Sequence, residues 1–105
     1  MIGMAESQNG ALIRLTTERW YHIVEHHDDL AGQAYLVLET IERPNFIVEG
    51  WHNELLAIRG WEGGKHLVVV YKEISHSDGF VITAYLTSRL TRLQRRKILW
   101  RKPQP

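Results

Sequence analysis

The hydrophobic period of this chain changes once, at Pro44, and that change limits the folds open to it. Before Pro44 the apolar residues recur at helical spacing, and after it they come in short β-branched and aromatic runs. Thr16 or Thr17 can cap a first helix and Glu18 suits its first turn. Trp20, Ile23, Val24 and His27 continue the spacing, which predicts a helix from about Thr17 to His27. Asp28-Asp29 and Gly32 interrupt it. Ala34, Leu36, Val37, Leu38 and Ile41 then describe a second amphipathic helix, stopped by Pro44, with Arg43 already biased away from helix by the proline that follows.

Beyond Asn45 four segments read as strands: Phe46 to Gly50, Glu54 to Arg59, His66 to Lys72 and Phe80 to Leu86. Trp51-His52-Asn53, Gly63-Gly64 and Ser75 to Gly79 supply turn chemistry between them, each short enough for a hairpin. The expected architecture is α+β, two N-terminal helices packed on one face of a four-stranded antiparallel sheet. From Arg89 to Trp100, Leu90 and Leu93 fit a short basic amphipathic helix, while Lys97 to Trp100 fits a last strand equally well. Residues 1–12 are expected to be a flexible N-terminus, 13–100 a single domain and 101–105 a tail.

The chain has 105 residues with 44% hydrophobic content, enough for one core. It contains no apolar run near the roughly 18–20 residues that span a bilayer, and the polar stretch from Met1 to Gly10 lacks signal-peptide architecture. A cytoplasmic protein with no membrane partner is expected. The absence of cysteine removes disulfides, thiolate metal sites and cysteine nucleophiles, leaving histidine, carboxylate, hydroxyl and guanidinium groups for any chemistry.

A net charge of +1 hides a division along the chain. Residues 1–88 hold six lysines and arginines against all twelve acids, whereas residues 89–105 hold Arg89, Arg92, Arg95, Arg96, Lys97, Arg101 and Lys102 with no acid. Such a block attracts polyanions through counterion release; it can equally dock on an acidic protein or simply remain solvated.

Several of these residues together carry a resemblance. Arg14-Leu15-Thr16 stands before a helix, Trp20-Tyr21-His22-Ile23 is followed by His27, and Pro44 closes a second helix. A strand ending Val69-Val70-Tyr71 and the strand Phe80-Val81-Ile82-Thr83-Ala84-Tyr85 complete the order. Over about residues 13–100 this resembles the phage and toxin-type branch of the barnase–EndoU–colicin–RelE superfamily of small metal-independent RNases, the BECR fold. The resemblance implies an endoribonuclease without a cofactor, the toxin of a bacterial toxin–antitoxin pair. It also implies two partners, RNA and a small cognate antitoxin covering the site and the tail, and it leaves the oligomeric state open.

Metal-free RNA cleavage needs a base for the ribose 2′-OH, an acid for the departing 5′-oxygen and fixed positive charge around the phosphorane-like transition state. On the resemblance His22 is the first candidate for acid or base, with His27 second. Five residues apart, they diverge by about 140° on an ideal helix and share a site only if the helix frays near Asp28. Arg59 can hold the scissile phosphate. Thr83 and Tyr85 share a strand face, so both hydroxyls can point to one site. Lys72, Arg89, Arg92, Arg95, Arg96 and Lys97 are candidates for RNA binding, and Trp20, Trp51, Trp61 and Trp100 offer rings on which bases can stack.

Two other readings compete. His22-Ile23-Val24-Glu25-His26 matches H-x-x-E-H, in which His22 and His26 at i and i+4 bind zinc and Glu25 acts as general base; Glu39 or Glu42 would have to supply the third ligand. A module that binds RNA or protein without cutting would use the same basic tail and none of the histidine chemistry.

Overall fold

The computed structural model describes residues 1–104, and strands stand on both sides of its helices. β1 (Gly3–Glu6) and β2 (Leu12–Leu15) form an antiparallel hairpin. The chain then runs through α1 (Thr17–His26), one 3-10 turn at Asp28–Leu30 and α2 (Ala34–Glu42). The strands β3 (Phe46–Glu49), β4 (Leu55–Gly60), β5 (His66–Glu73) and β6 (Asp78–Thr87) follow, then α3 (Leu90–Gln94) and β7 (Ile98–Arg101). All seven strands lie in one sheet, in the order β1-β2-β6-β5-β4-β3-β7. Every neighbouring pair is antiparallel except β2 with β6, which is parallel.

This corrects the expected architecture. The sheet has seven strands and is mixed, a hairpin precedes the helices, and a third helix follows the meander. The hairpin leaves only a short apolar trace: β2 buries Ile13 and Leu15 at alternate positions, too few residues to mark a strand pair by themselves. β1 buries only Ala5, and the segment is fastened by polar groups. Ser7 donates through Oγ to Glu73 and accepts from the Ala11 amide at 3.1 Å, Asn9 donates to Glu73 at 2.9 Å, and Gln8 donates to the Glu42 carbonyl at 2.7 Å. In the stretch 89–100 helix and strand both form, one after the other, because Leu93 packs onto the sheet while Ile98 to Arg101 pairs with β3.

Local chemistry explains the regular elements. Thr16 is extended at φ −79°, ψ 156°, and its Oγ1 accepts from the Arg19 amide at 3.1 Å, so it caps α1. Because Thr16 is exposed and packs nothing, Thr16→Ala should remove only this cap. A loss of about 1 kcal/mol in urea unfolding is expected, and no loss would mean that water replaces the hydroxyl at no cost. In the β4–β5 turn, Gly63 and Gly64 have φ of +70° and +73°, the pair of left-handed residues that a tight hairpin requires.

Strand alternation divides the apolar residues into two cores. Ile23, Leu30, Val37 and Ile41 from the helical segment pack on Ile13, Leu67, Val69, Tyr71, Val81 and Ala84 on one sheet face. Phe46, Val48, Leu56, Ile58 and Val68 on the other face are covered by Leu93 of α3. No helix among the described residues is long and apolar enough to cross a membrane.

One topological detail positions the site. β2 pairs only with Asp78 to Phe80, so the rest of β6 has β5 on one side and no strand on the other. α1 packs against β6 there. The ladder also slips between Val70 and Tyr71: Tyr71 pairs with Val81 and Val70 with Thr83, leaving Ile82 as an extra, bulged residue beside α1.

Candidate nucleic-acid interface and histidine cleft

Along this half-open stretch of β6, Arg19, His22, Ile23, His26 and His27 of the α1 segment face Ile82 and Thr83 across a cleft of about 550 Å³. His22 and His26 are one turn apart on α1. His27 joins them because the helix ends before it: its φ of −137° and ψ of 70° leave the helical region, although its amide still donates to the Ile23 carbonyl at 2.8 Å. The end of the helix therefore brings His22 and His27 to one cleft despite their spacing. His26 Nδ1 lies 2.9 Å from the His22 carbonyl oxygen, which can only accept, so Nδ1 carries the proton and Nε2 remains the free ring nitrogen.

A second cleft of about 590 Å³ lies on the α3 side, lined by Trp51, Tyr85, Thr87, Arg89, Arg92, Leu93, Arg95 and Arg96. Arg96 is the best anchored of its cations. Its Nε donates to the Glu49 carbonyl at 2.7 Å and its guanidinium lies 4.0 Å from the centre of the Trp51 ring. The Glu49 amide donates in turn to the Lys97 carbonyl at 3.0 Å, which ties the basic segment to β3. Burial pushes the Tyr85 phenol above its ordinary pKa, with the Arg96 charge pulling partly back, so Tyr85 is a neutral hydroxyl near pH 7. The Tyr85 and His27 rings meet at 6.2 Å between centroids, tilted by 37°, and this contact joins the two clefts.

The remaining candidates divide plainly. Thr83 lines the histidine cleft and Tyr85 the arginine groove, so the two hydroxyls share a strand face and serve adjoining cavities. Arg59 is not with them. It pairs with Leu67, whose side chain belongs to the core beneath the helices, and its buried Nη1 lies 3.4 Å from Glu39 Oε1 of α2, an ion pair without a hydrogen bond. Lys72 pairs with Phe80 and lines neither cleft, nor does Lys97.

The zinc alternative lacks its third ligand. No three histidine, aspartate or glutamate side chains among the described residues come together in a way that could hold a metal ion. Glu39 is engaged by Arg59, and Glu42 lines a separate cavity with Met4 and Tyr35.

The sequence pattern offers His26 as a zinc ligand and assigns Arg19 and Thr87 no role. The i, i+4 relation of His22 and His26 was visible, whereas Arg19 and Thr87 carried no motif. No family model, curated protein or solved structure matches the chain.

Proposed function

We propose that this protein is a metal-independent endoribonuclease that binds RNA along the arginine groove and cuts it at the histidine cleft. The observation that supports this reading best is the contact between His27 and Tyr85, which makes a proton-transferring cleft continuous with a cationic, aromatic groove. In the reaction, one of His22 and His27 takes the 2′-OH proton while the 2′-oxygen bonds to phosphorus. The bond from phosphorus to the 5′-oxygen breaks, the other histidine protonates that oxygen, and a 2′,3′-cyclic phosphate remains. Arg19, which lines the same cleft, supplies the fixed positive charge around the transition state.

On this reading the enzyme is a toxin, and a small antitoxin with an acidic surface covers the groove. The test is incubation of purified protein with total RNA and a labelled oligonucleotide in EDTA, beside growth of cells expressing it alone. Cleavage to cyclic-phosphate ends and arrested growth are the expected results. The position of Arg59 under α2 favours the second reading, a module that binds without cutting, and bound but intact RNA in the same assay would establish it.

A further inference from the structure

Three of the four tryptophans, Trp20, Trp61 and Trp100, pack against the core under the helices. Trp51 belongs to neither core and is 81% exposed. A large ring left in water gains nothing for the fold, yet its surroundings hold it in place. The Gly50 amide donates to the Glu54 carbonyl at 2.7 Å, and the Glu54 carboxylate accepts from the His52 amide at 2.7 Å. Asn53 completes the turn in the left-handed region at φ +68°. One side of the Trp51 ring carries the Arg96 guanidinium, itself fixed by the Glu49 carbonyl.

From this arrangement we infer that Trp51 and Arg96 form a stacking subsite for an unpaired base, which makes single-stranded nucleic acid with exposed bases the ligand of the groove. The inference rests on the RNA-binding half of the proposed function and not on cleavage. Arg89, Arg92 and Arg95 line the same groove and can follow the backbone phosphates, while the accessible ring offers its π-face to a base. A duplex keeps its bases stacked on one another and cannot use the ring. Stacking accepts any base, so the subsite favours unpaired over paired strands more than it favours one sequence.

The test uses a fluorescein-labelled 2′-deoxy oligonucleotide, which cannot be cut by 2′-OH attack, with affinity read by anisotropy and by quenching of tryptophan emission. Trp51→Ala should weaken binding roughly 5- to 100-fold, Trp51→Phe should recover part of the loss, and an oligonucleotide abasic throughout should bind wild type and Trp51→Ala alike. Equal affinity of wild type and Trp51→Ala for the intact strand would overturn the inference. So would an equal loss on the abasic strand, which would mean that Trp51 acts by positioning Arg96. If the wild-type protein binds no single strand at all, the inference fails together with the RNA-binding reading; if it binds and Trp51 is indifferent, only the inference fails.

Discussion

Gly79→Ala should cost this protein a large share of its stability. β6 at Gly79 is flanked by Ile13 of β2 and Glu73 of β5, so it lies inside the sheet with a backbone on either side. A Cβ added there would fall inside contact distance of the Lys72 carbonyl oxygen and 2.7 Å from the Ile13 Cδ1. The first neighbour is backbone, held in a strand that is itself paired to β4, and the second is a fully buried side chain. The carbonyl cannot move without opening the ladder, and the Ile13 methyl can move only by displacing its neighbours in the core. Overpacking of this kind typically costs about 1–3 kcal/mol, and a clash with paired backbone puts Gly79→Ala at the upper end, against the roughly 5–15 kcal/mol that holds a small domain together. The urea midpoint should therefore fall by roughly 1–2 M. An unchanged midpoint would show that β2 and β6 separate readily, and the parallel pairing would then contribute little.

If the proposed function holds, His22→Ala should reduce RNA cleavage by about 10²- to 10⁴-fold while leaving the fold intact, the loss associated with removing one positioned proton-transfer group. His22 is exposed and its side chain supports neither core, so unfolding does not compete as an explanation. Affinity for RNA should hardly change, because the groove that carries the arginines lies on the other side of the Tyr85–His27 contact. Single-turnover cleavage alongside binding by the variant separates the two quantities. Wild-type cleavage by His22→Ala would remove this residue from the chemistry. Wild-type cleavage by Arg59→Ala, by contrast, is now the expected outcome, since that guanidinium is committed to Glu39.

What the sequence disclosed follows from which forces leave a periodic trace. α1, α2 and the four strands from β3 to β6 are built on apolar repeats, and each lies within a few residues of where the repeats put it. The β1–β2 hairpin carries a period of two only over Ala11, Ile13 and Leu15, and the Ser7, Gln8 and Asn9 bonds that fasten it to distant partners have no period. Parallel pairing of β2 with β6 depends on how the chain returns after two helices and three strands, which no local pattern encodes. In the site, the end of α1 decided whether His22 and His27 could meet, and the Asp28-Asp29 interruption announced that end. Arg59 is the opposite case. Its residue type suited phosphate, but strand parity pairs it with Leu67 and turns it toward α2.

The sheet also imposes an order of assembly. Ser7 and Glu73, which meet beside the β2–β6 junction, are 66 positions apart in the chain. As the polypeptide leaves the ribosome, the first fifteen residues must wait with an unfilled strand edge until β6 has been made. Closing so long a loop is entropically costly and slow, and an open edge can pair with another chain in the meantime. Early folding thus falls to the local hairpins between β3 and β6, and the N-terminal strands can dock only once β6 is in place.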